Sequence, residues 1–388
     1  MMRAIELFAG AGGLGIGVSQ AGFKPEAVVE WDRWCCDTIR ENQARGVAAV
    51  ANWPTPTEGD VKKVDFEKYE GKIQLVTGGP PCQPFSLGGK HRAQDDSRDM
   101  WPEAVRVVRE SKPEAFIFEN VKGLTRASFA SYLAYIELQL TYPELVRRGD
   151  QNWEDHLGRL ERHHTSRRRG DAGLTYQVVH RVLNAANYGV PQKRERVVFV
   201  GFRSGLGIEW SFPKETHSKE ALLWDKGAAG TYWDRHRVAR KDRVLTTKGA
   251  PILLPWRTVR DAIGDLPDPE FRPRQAAEIS NHRFQGGARS YPGHTGSPMD
   301  EPAKTLKAGV HGVPGGENMV VRPDGSLRYF SVRESARLQT FPDDFVFHGS
   351  WSEAMRQLGN AVPVDLASII ASHVRTHLVA ASGATRQK

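Results

Sequence analysis

The amino-acid sequence predicts an α/β fold with a doubly wound, mostly parallel sheet. In the first half of the chain, short runs rich in β-branched and aromatic residues alternate with segments whose apolar residues recur at helical spacing. A glycine-rich turn follows the first of these runs and opens the first helical segment. The texture of the chain changes near residue 205, so we expect a second, smaller and irregular domain as well.

Six apolar runs account for the strands of the predicted sheet. They cover residues 4–8, 26–30, 73–77, 115–119, 176–183 and 196–202. Helical segments at 32–43, 101–111 and 128–140 lie between several of these runs. This alternation is typical of a parallel sheet with helices on both faces.

The sequence divides into three parts. Residues 1–204 form the first domain, and residues 205–327, rich in Gly, Pro, Arg and Trp, form the second. Residues 328–388 are expected to return to the first domain, because the helical pattern over 352–379 resumes its composition. The arginine-rich insertion at 142–171 is interpreted as a solvated excursion, with His163 and His164 on its surface.

Composition narrows the class of protein. With 388 residues, 39% of them hydrophobic, the chain can bury a large core, and its net charge of +8 is compatible with a polyanionic partner. The absence of a long apolar run and of a leader pattern predicts a cytoplasmic protein without a membrane segment. Its three cysteines, Cys35, Cys36 and Cys82, are too few and too poorly spaced for a disulfide framework or a zinc site, so no metal is expected.

The stretch LFAGAGGLGIG carries the first chemical signal. Gly10, Gly12 and Gly15 match the G-x-G-x-x-G fingerprint, and Glu30 closes the next predicted strand, where its carboxylate can accept hydrogen bonds from a ribose. A turn that merely lets strand and helix pack closely would show the same glycines. The fingerprint also does not separate a nicotinamide dinucleotide from S-adenosylmethionine, since both contain adenosine.

Cys82 and Glu119 each follow a predicted strand, and ligands of doubly wound sheets lie beyond the carboxyl ends of strands. Cys82 stands in GGPPCQPFS, whose prolines restrict φ and favour extended backbone. Such stiffening would hold the thiol at the mouth of the crevice. A single cysteine taken alone is more often a structural residue of a core.

A series of motifs resembles that of the DNA cytosine-5 methyltransferases of bacterial restriction-modification systems. In chain order these are FAGAGG, EWD, GD, GGPPCQPFS, ENV, PQKRERVVFVGF, RESARLQTFPD and QLGNAVP. The resemblance covers about 3–203 and 328–380 and implies a Rossmann-like methyltransferase domain over 1–204. Residues 205–327 then correspond to the family's target recognition region.

The resemblance also implies roles for individual residues. Cys82 is similar to the family's nucleophile, Glu119 to the carboxyl that engages the pyrimidine edge, and Arg196, with Arg194 and Gln192, to the polar set that holds the base and the catalytic loop. The positions implied for S-adenosylmethionine are Phe8, Ala9, Gly10, Ala11, Gly12, Gly13, Glu30, Trp31, Asp60, Val61, Pro81, Trp101, Asn360 and Ala361. Those implied for DNA are Gln83, Ser86, Lys90, Arg92, Thr305, Leu306, Lys307 and His311.

The expected reaction is methyl transfer to carbon 5 of a cytosine flipped out of duplex DNA, through a covalent bond from Cys82 to carbon 6. Residues 86–98 are the expected lid over DNA. We further expect a monomer and a cognate restriction endonuclease acting on the same site. Alternatives at this point are a cytosine-5 methyltransferase acting on RNA, a nicotinamide-dependent oxidoreductase and a DNA-binding module with a degenerate catalytic domain.

Overall fold

The computed structural model describes residues 1–81, 99–166, 173–239, 249–292, 294–309 and 317–385. Its centre is a seven-stranded sheet. The strands are β1 (Met2–Leu7), β2 (Phe23–Glu30), β3 (Thr57–Glu58), β4 (Leu75–Gly78), β5 (Ala115–Val121), β6 (Tyr176–Asn184) and β7 (Glu195–Arg203). All six predicted strands are confirmed, and the two-residue strand β3 is the member that the sequence did not predict.

The strand order is β3-β2-β1-β4-β5-β7-β6. Strands β1 to β5 pair in parallel, whereas β7 runs antiparallel to both of its neighbours. The reversal follows from the short connection between β6 and β7, which contains the 3-10 turn Ala185–Tyr188 and is too short for a parallel crossover. The sheet is therefore mostly parallel and doubly wound, as predicted.

Twelve α-helices lie in the described residues. Those next to the large sheet in the first part of the chain are α1 (Gly13–Gln20), α2 (Arg33–Ala44), α3 (Trp101–Ser111), α4 (Ala130–Thr141) and α5 (Trp153–Thr165). The irregular region contributes α6 (Lys219–Trp224), α7 (Thr231–His236), α8 (Val259–Ile263) and α9 (Pro273–Ala277). The chain ends with α10 (Val332–Leu338), α11 (Trp351–Asn360) and α12 (Val364–Thr385).

The period of two along a strand divides the core between the two faces of the sheet. In β5, Phe116 and Phe118 pack with α3 and α4 on one face, whereas Ala115 and Ile117 join a cluster with α12 on the other. Helix α12 lies so close to α1 that a Cβ at Gly17 would approach the Cβ of Ala367 to 2.5 Å. The C-terminal segment thus completes the second face of the sheet.

The insertion differs from its interpretation as a solvated excursion. It contains α5, whose Trp153 and Leu160 are buried in the same core as α4. The hydroxyl of Tyr135 on α4 lies 2.9 Å from Nδ1 of the buried His156. The helical spacing of Trp153, His156 and Leu160 predicts this buried face, whereas the high charge of the segment favours the interpretation as solvated.

The region 205–327 consists of short elements, with two small sheets. One pairs β8 (His217–Ser218) with β9 (Leu254–Pro255), and the other contains β10 (Ser297–Pro298), β11 (Met319–Val321) and β12 (Leu327–Tyr329). The domain boundary near 205 stays a prediction. In the described part of the chain, no helix has both the length and the apolar composition needed to cross a membrane.

Candidate active site

The glycine-rich turn between β1 and α1 is held by the carboxylate of Glu30. Oε2 of Glu30 accepts a hydrogen bond from the N–H of Gly10 at 2.7 Å, and Oε1 accepts from the N–H groups of Trp31 and Asp32, each at 2.8 Å. Burial raises the pKa of Glu30, and the three N–H donors act in the opposite direction. Glu30 therefore links the glycine-rich turn to the carboxyl end of β2.

The backbone of this turn leaves an open space beside Glu30. Phe8 and Gly10 have φ values of 52° and 55°, in the left-handed region that favours glycine. A Cβ built at Gly10 meets no atom within 4 Å, so glycine keeps this space free. The ring of Trp31 is 78% exposed. An exposed apolar ring next to an acceptor carboxylate suits the base and ribose of an adenosine.

Two further segments converge on the same turn. The N–H of Gly59 donates to the carbonyl oxygen of Glu30 at 2.9 Å, which brings the partly exposed Asp60 alongside. A Cβ at Gly13 would lie 2.4 Å from the carbonyl oxygen of Val362, so the end of α11, with Asn360 exposed, packs against the turn. The buried neighbours in these segments are Ala9, Ala11, Gly12, Gly13, Val61 and Ala361.

Trp101, which the resemblance implies for S-adenosylmethionine, packs in the core of the sheet. Its side chain is fully buried, and its ring packs edge to face with Phe118 and Phe199 at centroid separations of 6.0 and 5.1 Å. Trp101 is therefore part of the core, and its role toward a cofactor stays a prediction. The exposed Pro81 accepts a hydrogen bond from the N–H of Met100 at 3.4 Å, so the ends of the 82–98 segment adjoin.

Glu119 stands near the carboxyl end of β5 and faces Arg196 on β7. Nε of Arg196 lies 2.6 Å from Oε1 of Glu119, although the N–H is not aligned as a hydrogen bond requires, and no other described residue donates to this buried oxygen. Burial lowers the pKa of Arg196, and the charge of Glu119 opposes this shift. A Cβ at Gly79 would lie 3.3 Å from Oε2, which brings the end of β4 against the same carboxylate.

Gln192 and Arg194, expected with Arg196 to hold the base and the catalytic loop, form hydrogen bonds with distant segments of the chain. Both side chains are fully buried. Arg194 donates to the carbonyl oxygens of Leu306 at 3.1 Å and Gly359 at 2.8 Å, and burial holds its pKa well below the usual value. Gln192 accepts from the N–H of Leu306 at 2.9 Å and donates to Gln339 at 3.2 Å. These residues join the irregular region to the C-terminal segment.

Thr305 and Leu306, the pair expected to contact DNA, mainly make contacts within the protein. The hydroxyl of Thr305 donates to the carbonyl oxygen of Lys193 at 2.7 Å, and Leu306 is buried. Leu306 is therefore not placed to touch DNA. Lys307 is exposed, while its backbone N–H and C=O both bond to the side chain of Asn318 at 2.9 and 2.8 Å. Of this group, Lys307 presents its charge to solvent.

Sequence reasoning missed Glu6, a buried carboxyl in β1 directly beneath the glycine-rich turn. Its partners are the hydroxyl of Thr77 and the backbone N–H of Gly15, and burial raises its pKa to about 8. A lone acidic residue in the apolar run AIELF was the available signal.

Several predicted residues lie outside the described part of the chain. They are Cys82, Gln83, Ser86, Lys90, Arg92 and His311, together with the expected lid at 86–98. The other two cysteines are buried and unpaired, and burial raises the pKa of both thiols, that of Cys36 to about 12. Protonated thiols in a core are poor nucleophiles. Among the described residues, no group of three His, Cys, Asp or Glu side chains is arranged to hold a metal ion.

Comparison with known protein families gives a match over nearly the whole chain. The model of the C-5 cytosine-specific DNA methylases matches residues 2–141 and 170–376. The gap between the two matched ranges falls within the insertion.

Individual relatives agree with this family. The type II methyltransferase M.PspPI of Psychrobacter sp. strain TA137 is 34% identical over 390 residues, which cover 97% of this chain and 80% of the relative. M.Eco47II of Escherichia coli is 32% identical and spans 97% of this chain and 79% of its own length. The crystal structure of the S. pombe Dnmt2 methyltransferase superposes with a TM-score of 0.58 at 17% identity over 97% of this chain and 99% of that one, which shows the shared fold.

Proposed function

The chain belongs to the C-5 cytosine-specific DNA methylase family and is a DNA cytosine-5 methyltransferase, and from this premise we propose which of its residues carry the reaction. The observation that carries the proposal is the Glu119–Arg196 pair at the carboxyl edge of the sheet, with an Nε–Oε1 distance of 2.6 Å. Membership of this family excludes the alternative of a nicotinamide-dependent oxidoreductase. The identity to type II enzymes favours DNA over RNA as substrate.

We assign S-adenosylmethionine to the space beside the glycine-rich turn. The open position at Gly10, the buried carboxylate of Glu30 and the exposed ring of Trp31 fit the adenosine. The partly exposed Asp60 and the exposed Asn360 are the residues that we assign to its polar groups. When bound, S-adenosylmethionine supplies an electrophilic methyl group.

Cys82 is the nucleophile in this proposal. Its thiolate adds to carbon 6 of the cytosine, and the C5–C6 double bond opens so that its electron pair makes carbon 5 nucleophilic. After carbon 5 has been methylated, loss of the proton from carbon 5 restores the double bond and expels the thiolate. Gly79 and Pro80 connect β4 to the segment that contains Cys82. Asn120 holds this connection by donating a hydrogen bond to the carbonyl oxygen of Pro80 at 3.0 Å.

Glu119 and Arg196 offset the negative charge that thiolate addition places on the ring, Glu119 by stabilising a proton on N3 and Arg196 by its own positive charge. Oε1 of Glu119 is buried without a hydrogen-bond donor among the described residues, so it can engage the amino group or the protonated N3 of the cytosine. Arg196 keeps Glu119 oriented, and its remaining N–H groups can donate to the carbonyl oxygen of the base. Gln192 and Arg194 do not contact the base in this proposal; they join the recognition region to the catalytic domain.

The substrate we propose is a specific duplex sequence, read by residues 205–327. Lys307 is the described residue with an exposed charge next to the expected recognition loop. Relatives from type II systems support a cognate endonuclease that cuts the same site. A flipped cytosine is required because the base edge at carbon 5 and carbon 6 is stacked inside a duplex.

Bisulfite sequencing of plasmid DNA from cells that express the full chain tests this function. We expect protected cytosines within one recurring sequence, and none with the Cys82→Ala variant as matched control. Complete conversion of cytosines with both proteins, at equal amounts of folded enzyme, would overturn the proposal. Protection in RNA but not in plasmid DNA would reassign the substrate.

A further inference from the structure

A cavity of about 390 Å³ lies on the face of the sheet that α3, α4 and the insertion cover. Seven of its fifteen lining residues belong to the insertion, from Tyr142 to His156. The family model leaves 142–169 unmatched, so this part of the wall lies outside the family pattern. The volume falls in the range of small-molecule sites, about 300 to 1,000 Å³.

The polar groups left free in this cavity are hydrogen-bond donors. The amide of Gln139 is 93% buried, and its Nε2 has no hydrogen-bond partner in the described part of the protein. Lys62 and Arg147 also line the cavity, and neither side chain has an ion-pair partner within the described ranges. Among the residues that the structure describes, Arg109 makes a single hydrogen bond, of 3.5 Å from Nη1 to the carbonyl oxygen of Pro143.

The acceptors of the cavity are already engaged. Glu103 is paired with Nε of Arg106 at 2.7 Å. Asp99 accepts from the N–H of Trp101 at 3.1 Å and from the hydroxyl of Tyr132. His156 is occupied on both ring nitrogens, by the hydroxyl of Tyr135 at 2.9 Å and the carbonyl oxygen of Leu145 at 2.6 Å. A ligand that complements the remaining groups therefore carries negative charge and many acceptors.

The rest of the wall is apolar and aromatic. Val105, Leu145 and Val146 supply aliphatic surface, and Tyr142 and Trp153 supply rings. A bare inorganic anion would leave this surface unused, whereas a flat ring joined to an anionic group would use both parts. The size of the cavity admits one nucleotide but not a duplex.

We propose that this cavity binds a nucleoside monophosphate, with its phosphate facing Arg109 and Arg147, the amide of Gln139 donating to it, and its base against the aromatic wall. The site is separate from the one assigned to S-adenosylmethionine, although Lys62 follows directly after the Val61 position of that site. The proposal does not depend on methyl transfer, so it stands or fails independently of the proposed function.

Isothermal titration of the full chain with adenosine monophosphate tests this site. We expect saturable binding that persists in excess S-adenosylhomocysteine. Arg147→Ala should weaken the affinity by about tenfold or more, the factor for loss of one charge-assisted hydrogen bond, and Gln139→Leu should weaken it in the same direction. Arg162→Ala, on the same insertion but outside the cavity, is the matched control and should bind like the wild type.

Each contrary outcome overturns a defined part of the proposal. Loss of binding in S-adenosylhomocysteine would place the nucleotide in the cofactor site. Equal affinity for inorganic phosphate and adenosine monophosphate would reduce the cavity to an anion site. Unchanged affinity in Arg147→Ala would exclude this cavity altogether, and because Arg147 is exposed its replacement leaves the fold intact. Absence of any binding to the wild type would refute the proposal.

Discussion

Nε of Arg196 lies 2.6 Å from Oε1 of Glu119, across two antiparallel strands that the chain reaches 77 residues apart. In the strand register, Arg196 is the partner of Val121, two positions beyond Glu119. Both side chains point to the same face of the sheet because residues two apart in a strand share a face. The pair lies beside the end of β4, since a Cβ at Gly79 would lie 3.3 Å from Oε2 of Glu119, and the proposed nucleophile Cys82 follows three residues later in the sequence.

Replacement of Glu119 by Gln should lower kcat by about 10²- to 10⁴-fold, because the neutral amide no longer stabilises the protonated N3 of the ring. The affinity for S-adenosylmethionine should stay unchanged, since Glu119 lies outside the assigned cofactor site. Steady-state kinetics with labelled cofactor and calorimetry measure the two quantities. Glu114→Gln, directly before the first residue of the same strand, is the control, and a loss of equal size there would remove the special role of Glu119.

Cys82 should become covalently joined to a duplex that carries 5-fluorocytosine at the target position. Fluorine at carbon 5 cannot leave as a cation, so the thiol adds and the final elimination fails. The joined species should survive denaturing electrophoresis, need S-adenosylmethionine and be absent for Cys82→Ala. Peptide mass mapping identifies the attachment site. Attachment at Cys35 or Cys36 would contradict both the assignment and their burial in the core.

Replacement of Glu30 by Ala should weaken the binding of S-adenosylmethionine by about 1 to 3 kcal/mol. The variant removes the proposed acceptor for ribose hydroxyls and also leaves the N–H groups of Gly10 and Trp31 without their acceptor. Calorimetric titration of cofactor gives the change in affinity. Glu26→Ala, a more exposed carboxylate on the same strand, should bind normally. Unchanged affinity in Glu30→Ala would move the adenosine elsewhere.

Arg194→Met should lower the free energy of unfolding by about 2 to 4 kcal/mol, because the carbonyl groups of Leu306 and Gly359 lose their buried donor. The kcat of the folded fraction should fall by less than about tenfold, since the guanidinium does not touch the base. Urea denaturation and kinetics at saturating substrate separate the two effects. The opposite pattern, a large loss of kcat with normal stability, would restore the role at the base that the sequence implied.

Glu6 should make the protein less stable as the pH rises from about 4.5 to 8. Its folded pKa of about 8 lies above the ordinary value of 4.5, so the folded state holds a proton that the unfolded state has lost. The contribution of Glu6 to the free energy of unfolding is fully present below pH 4.5 and decreases between pH 4.5 and 8. Above pH 8 it changes no further, and the total loss is on the order of 3 to 5 kcal/mol. Denaturation at several pH values gives the free energy of unfolding as a function of pH. This free energy should change less with pH in Glu6→Gln, while the exposed-site control Glu161→Gln should follow the wild type. Parallel pH dependence in Glu6→Gln and the wild type would refute the assignment.

The sequence by itself determined the fold class and the family. Strand and helix periods are local properties, and motifs such as FAGAGG, ENV and PQKRERVVFVGF are contiguous, so the six strands and the glycine-rich turn can be predicted from short stretches of chain. The position of Glu119 near the carboxyl end of β5 could also be predicted, because side chains at the carboxyl ends of strands meet at one edge.

The tertiary structure alone decided which arginine faces Glu119. Arg194 and Arg196 are two residues apart and chemically identical, and what separates them is contact with Leu306 and Gly359, 112 and 165 residues further along the chain. Such contacts depend on how distant segments pack, and no local period encodes them. The same reason explains Glu6, Trp101 and the buried face of the insertion, since burial is set by the neighbours that folding brings to a residue.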